Sequence, residues 1–310
     1  MALLSDEEVG LLGIDKFIFH VVHHGGEQPI LFGETPIGDF EPFFLARVRE
    51  TLRGNRFVFL DGSATRTALN QVVRDPDRFV EVSRTLALAF HHNIGSDRRI
   101  KPGVLILMAL WAGDRRLFSI IKYDHEEVLS YDIQGDVRAV LREIANSFTK
   151  SAEALQKSAL IELTKTGGEL VVVDRKVQAD ITDFFKGFLA VKRAYTGAEL
   201  TRALEKVVKG TVKAHRAQLP PEIVSKVSQR LYETVQNRDT FQEQEFFGEF
   251  FGVHGDTKVK RTFDRLLKQN TLDGESFAYQ RGVIARPRPN RYSTVEGLKS
   301  RSRSRRKIRW

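Results

Sequence analysis

Five basic residues, Arg202, Lys206, Lys209, Lys213 and Arg216, recur at spacings of 4, 3, 4 and 3. On an α-helix this rhythm lines them along one side, opposite an apolar face of Leu200, Leu204, Val207 and Val208. At 1.5 Å per residue the stripe is about 20 Å long. It can follow a stretch of nucleic-acid backbone, where each phosphate met by a cation releases a condensed counterion. The same pattern also describes an ordinary solvated helix face.

A second basic set closes the chain. Arg286-Pro287-Arg288-Pro289 precedes Arg301, Arg303, Arg305, Arg306, Lys307 and Arg309. Guanidinium forks take phosphate oxygens two at a time, and Arg side chains suit a narrow minor groove. Nothing in this segment specifies base readout, so little sequence preference beyond an A·T bias is expected. Arg-Ser runs also occur in RNA-binding segments, and a solubilising tail has the same composition.

Charge distribution sharpens the point. The chain of 310 residues carries a formal charge of +9, yet from Arg281 onward there are 11 Lys or Arg against one acid, Glu296. The preceding 280 residues therefore sum to −1. A cationic field concentrated at one end attracts a polyanion.

Other groups point less clearly to chemistry. His20, His23 and His24, with His91 and His92, form clusters. Without a cysteine or an HExxH pattern they read as ordinary polar or half-buried histidines, and no metal is expected. Asp174-Arg175-Lys176, with Glu169 before it, resembles the acid-x-Lys element of metal-dependent nucleases, or simply a strand-to-helix junction. Asp124, Glu126, Glu127 and Asp132 form an acidic patch facing solvent or a partner. The absence of cysteine excludes disulfides and thiol catalysis. No GxxxxGK[ST] loop or GxSxG elbow occurs. The expectation is a non-enzymatic protein without cofactor.

These residues need a scaffold. Residues 13–22, 29–33 and 56–60 read as strands, 41–53 and 77–92 as helices. Val104–Trp111 and Leu117–Tyr123 flank Ala112-Gly113-Asp114 as a hairpin. A third strand of the meander is expected at 127–132, a helix at 136–146, and a second hairpin at 158–173. Ile181, Phe184, Phe185, Phe188 and Leu189 have helical spacing. Helices are then expected at 198–216, 221–236, 239–251 and 256–268, with short strands near 279–284 and 292–295. The reading is α+β: a mixed, largely antiparallel α/β domain over 1–175, a helical domain over 176–276, and a basic tail over 277–310. The acidic start Ser5-Asp6-Glu7-Glu8 does not fit a secretory signal. The apolar run Val104 to Ala112 is about half the roughly 20 residues a membrane span needs. A soluble, cytoplasmic protein is expected, with no membrane.

Several of these stretches together resemble the bacterial nucleoid-associated family called NdpA or YejK. The central stretch is Phe79 to Asp124, including Gly103-Val104-Leu105-Ile106 and Lys122-Tyr123-Asp124. The second is Asp174 to Leu189, an Arg-Lys element followed by an aromatic helix. The opening strand ending at His20 is similar as well, so the likeness spans residues 10 to about 270. It implies a nucleoid location, binding of double-stranded DNA without a known catalytic centre, and contacts with DNA topology enzymes. The Arg-Ser terminus departs from the family, in which a more ordinary strand is expected. Because the body is neutral, self-association into a homo-oligomer or docking to another protein is a second use for its surface.

Overall fold

The computed structural model describes residues 3–22, 28–94, 100, 103–124, 128–134, 138–144, 155–177, 179–287, 291–293 and 299–301. In chain order the first elements are α1 (Asp6–Gly10), β1 (Leu12–Val22), β2 (Ile30–Leu31), α2 (Glu41–Thr51), β3 (Asn55–Phe59), α3 (Ala64–Arg74) and α4 (Phe79–Ile94). Next come β4 (Gly103–Ala112), β5 (Arg115–Asp124), β6 (Val128–Gln134), β7 (Arg138–Ile144), β8 (Leu155–Thr164), β9 (Gly167–Asp174), α5 (Asp183–Leu189) and β10 (Val191–Arg193). Then follow α6 (Gly197–Ala214), α7 (Pro221–Ser225), α8 (Val227–Asn237), β11 (Thr240–Phe241), α9 (Glu243–Phe251) and α10 (Thr257–Gln269). The last are β12 (Phe277–Ala278), β13 (Arg291–Ser293) and β14 (Lys299–Arg301).

An eight-stranded sheet, ordered β10-β3-β9-β8-β5-β4-β1-β2, organises the first half. All its pairings are antiparallel. The fold is α+β. Helices cover both faces of the sheet, which explains why β4 is apolar without alternation. Leu105, Leu107 and Ala109 face one core with Val82, Leu86 and Phe90 of α4. Val104, Ile106, Met108 and Leu110 face the other, with Phe44, Leu45 and Val48 of α2. Gly113, at φ +63°, makes the turn between β4 and β5.

A separate core holds the second lobe. Leu200, Leu204, Val207 and Val208 of α6 meet Phe246, Phe250 and Phe251 of α9 and Phe263 of α10. The rings interlock closely: Phe246 lies 5.4 Å from Phe250, and Phe241 stacks on Phe277 at 5.0 Å. Such pairs add to simple area burial. Ile181, Phe185, Phe188, Leu189 and Val191 belong to the first core, whereas Phe277 and Ile284 belong to the second.

Several local expectations need correction. The helix expected at 136–146 is strand β7, paired antiparallel with β6. Helix-favouring Ala139, Leu141 and Arg142 yield to cross-strand pairing, as weak propensities do when a partner strand is available. The third strand of the meander is consequently not the 127–132 segment: β5 takes β8 as its neighbour. The helix expected at 239–251 begins only at Glu243, because Thr240–Phe241 pairs with Phe277–Ala278. That pairing displaces the strand expected at 279–284, where Arg281–Val283 forms a 3-10 turn. The 221–236 helix is split at Lys226 into α7 and α8.

Candidate nucleic-acid interface

Helix α6 starts with a capping box. Glu199 N donates to Thr196 Oγ1 (3.2 Å), and Thr196 N donates to Glu199 Oε2 (2.8 Å). These bonds satisfy backbone donors left open at the helix start and hold the Glu199 carboxyl below its usual range. The apolar face of α6 packs into the second core, so its opposite side is directed to solvent. Arg202, Lys206, Lys209 and Lys213 are all exposed on that side. Lys209 is bound to Glu205 at 2.6 Å, whereas Lys206 and Lys213 make no ion pair with a described residue. Arg216 is exposed but does not extend the stripe helically, because α6 ends at Ala214 and a turn follows. The cause is local: His215 is the C-cap, and its ring is tied to Gln218 (3.2 Å) and to Thr262 of α10 (2.8 Å).

Of the tail set, Arg301 alone is among the described residues. Arg301 ends β14, opposite Arg291 of β13 in a two-stranded ladder. Arg303, Arg305, Arg306, Lys307 and Arg309 lie outside the described residues.

The helix expected at 256–268 is α10, Thr257–Gln269, but its cations do not figure among the expected site residues. Its buried residues are Val259, Phe263 and Leu267, and Lys258, Arg261, Arg265 and Lys268 are exposed. The spacing of these four cations, 3, 4 and 3, is the signal that would have revealed them. Helices α6 and α10 run antiparallel, since Leu266 approaches Gly210 while Thr262 reaches His215. A Cβ at Gly210 would sit 3.0 Å from Leu266 Cδ1, so the missing side chain permits this close approach.

Among the described residues the alternative chemistries do not assemble; His23, His24, Glu126 and Glu127 lie outside them. Asp174 is buried, and four donors engage its carboxylate. Oδ1 accepts from Lys157 Nζ (2.6 Å) and Lys176 N (3.0 Å), while Oδ2 accepts from Thr182 N and Thr182 Oγ1 (both 2.8 Å). A carboxylate offers about four lone-pair sites, so none is left for a cation. Glu169 lies five positions away on the same strand, hence on the opposite face of the sheet. A cleft of about 720 Å³ beside β3 and β9 includes Arg56, Arg115 and Tyr195 in its lining. The Arg115 guanidinium there is already engaged by Glu8 (3.0 Å) and Glu162. Among the described residues no group of three or more His, Asp or Glu is placed to hold a metal ion.

His20 is a core residue. Its Nδ1 accepts from Phe32 N (3.1 Å), so Nε2 carries the proton toward Ser83 Oγ (3.1 Å), which in turn donates to Val80 O (2.8 Å). Burial, followed by the charge of Arg84, lowers its pKa from 6.5 to about 4. As pH falls, the unfolded chain binds this proton first. The stabilisation is therefore complete above about pH 6.5 and lost progressively down to about pH 4. The loss approaches about 3 kcal/mol by the lower limit. The melting temperature of His20→Gln is expected to fall less between pH 7 and pH 4.5 than that of the native chain. Equal falls in the two proteins would remove His20 as the sensor.

The comparison with protein families decides the relationship: the family described as nucleoid-associated protein YejK matches residues 18–309. The chain belongs to this family. A nucleoid-associated role follows from that membership. The match runs through the sheet, the α6–α10 pair and most of the tail, so the Arg-Ser terminus of this YejK-family chain lies within the matched region. A comparison with curated proteins found no match. No helix of the described residues is long and apolar enough to cross a membrane.

Proposed function

We propose that this YejK-family protein binds double-stranded DNA chiefly through phosphates and with little sequence preference. The observation that carries the reading is the α6 stripe: four exposed cations on one side of a helix whose other side is anchored in an aromatic core. A rigid row of cations suits a regularly spaced polyanion, and nothing in it reads base edges. The tail residues Arg301, Arg303, Arg305, Arg306, Lys307 and Arg309 would add an adaptable set of phosphate contacts.

A second reading has its own support. With a charge of −1 over the first 280 residues, most of the body is not electrostatically biased toward DNA. The protein would then be an adaptor that recruits DNA-handling enzymes, with the tail as its tether. A homo-oligomer would serve either reading.

Duplex binding across a salt series separates the two. Replacing Arg202, Lys206, Lys209 and Lys213 by Gln is expected to flatten the slope of log K against log salt by about 3 to 4, near 0.9 per lost phosphate contact. Replacing the cations at 303, 305, 306, 307 and 309 tests the tether. If only the tail variant loses binding, the adaptor reading stands and the α6 proposal fails.

A further inference from the structure

We infer that α6 and α10 form one DNA-binding face, in which Lys258, Arg261, Arg265 and Lys268 of α10 supply a second row of phosphate contacts beside the α6 row. The inference rests on the proposed DNA-binding function and extends it to residues on a second helix.

Helical geometry aligns the two rows. At 100° per residue, Arg202, Lys206, Lys209 and Lys213 fall within a sector about 60° wide, centred opposite the buried face of α6. The four cations of α10 fall within about 80°, again opposite the buried face formed by Val259, Phe263 and Leu267. Both buried faces enter the same core. The helices touch along their flanks, through Gly210 against Leu266 and His215 against Thr262. Antiparallel neighbours that rest on one core and meet at their flanks turn their outer faces in the same direction.

Glu199 stands at the N-terminal end of the α6 row, three residues before Arg202, where its carboxylate is taken up by the Thr196 capping box; the other acids, Glu205 and Asp264, lie off the face. Glu205 lies on the flank of α6 away from α10 and is bound to Lys209. Asp264 lies on the far flank of α10, bound to Lys260, which also holds Glu243 of α9 at 2.7 Å. The contacts between the helices set Gly210 against Leu266 and His215 against Thr262, with no carboxylate among them. Arg261 and Lys258 make no ion pair with a described residue, and Lys268 is met only at the exposed Asp6, at 3.2 Å.

The spacing fits a duplex. Packed helices lie about 8–10 Å apart, between the roughly 6 Å minor groove and 12 Å major groove of B-DNA. Long Lys and Arg stems extend the reach of each row. The two rows can therefore meet phosphates of the two strands across one groove. A flexible single strand offers no such fixed pair of rails.

The test measures affinity of the full chain for a 20-base-pair duplex over a salt series. One variant carries Lys258→Gln, Arg261→Gln, Arg265→Gln and Lys268→Gln. A control carries Arg49→Gln, Arg74→Gln, Lys165→Gln and Lys192→Gln, exposed cations of the first lobe that remove the same charge. The α10 variant is expected to weaken binding at 0.1 M salt by about 100-fold or more and to flatten the salt slope by about 3 to 4. The control should keep the native slope. Should the four-fold variant unfold, Arg261→Gln with Arg265→Gln should give about half the slope change. Since the chain has no cysteine, Arg265→Cys also gives a single attachment point for a photocrosslinker, which should label the duplex. An α10 variant that behaves like the control, or an absence of crosslink, overturns the inference while leaving α6 binding intact. Preferential competition by single-stranded DNA or by RNA also overturns it. A native chain that binds no duplex even at low salt overturns the underlying functional reading instead.

Discussion

Asp174→Ala is expected to destabilise the protein by about 3–5 kcal/mol, the range for removing one partner of a buried ion pair. Both side chains of the pair are enclosed: the Lys157 side chain is 3% exposed and that of Asp174 is 0%. Lys157 Nζ also lies 5.0 Å from the centre of the Phe184 ring, so losing the carboxylate strips a counter-charge from an ammonium set in apolar surroundings. The variant also opens the junction that follows β9. Thr182 stands at the N-cap of α5 without using its own side chain as a cap. Instead its N–H and hydroxyl both donate to Asp174, so one carboxylate ties β8, β9 and α5 together. Urea denaturation at pH 7 should show a lower midpoint with an unchanged slope. Asp174→Asn combined with Lys157→Met should recover much of the loss, because removing both charges is far less costly than removing one. A loss below about 1 kcal/mol would show that the pair does not clamp the junction. The variant also probes the nuclease alternative: divalent-dependent DNA cleavage by the native chain, abolished in Asp174→Ala, would show that the carboxylate does more than hold the fold.

Much of this scaffold is legible in sequence because its signals are local. The β4–β5 hairpin declares itself by two apolar runs around Gly113, and α6 by apolar and basic residues at helical spacing. Helix α3 was legible and passed over: Ser63 accepts from Arg66 N as a cap, and Thr65, Ala68, Leu69 and Val72 repeat at i, i+3, i+4 and i+7. Its polar composition hides a face that is buried all the same. Helix α10 shows a different gap, since its elements were expected while its cations were not singled out as a row. Strand order is another matter. Nothing near Arg56 announces that β3 lies between β9 and β10, because such pairings are decided by packing between segments more than 100 residues apart. The same holds for Asp174: its sequence neighbours suggest a nuclease element, and only Lys157 and Thr182, brought in by the fold, show what it holds.

Glu275→Ala is expected to cost about 3–5 kcal/mol as well, but with a different signature. Glu275 lies just beyond the second-lobe core, with its side chain fully enclosed against the first lobe. Oε1 accepts from Arg56 N of β3 (2.9 Å), and Oε2 accepts from Arg193 Nη2 of β10 (2.7 Å). Around it, Arg56 Nη1 donates to Thr271 O (2.9 Å), and Ser276 N donates to Asn55 Oδ1 (2.7 Å). Gly274, at φ +76°, lies where a Cβ would come within 2.9 Å of the Arg53 backbone, so the loop can approach β3 this closely only with glycine. Burial raises the Glu275 pKa, and the neighbouring Arg193 and Arg56 charges oppose that rise. Alanine would leave the Arg56 N–H without its acceptor and Arg193 without its carboxylate, at the seam between two cores that are otherwise self-contained. The expected result in calorimetry is that a single cooperative unfolding transition separates into two, the second lobe melting apart from the sheet. Glu275→Gln keeps an acceptor for Arg56 N while removing the charge, and should retain more of the coupling. A lone transition merely shifted downward in Glu275→Ala would mean that the lobes are held together by their wider contact rather than by this carboxylate. If the lobes do separate, duplex affinity should persist, because both cationic rows are built on the second core alone.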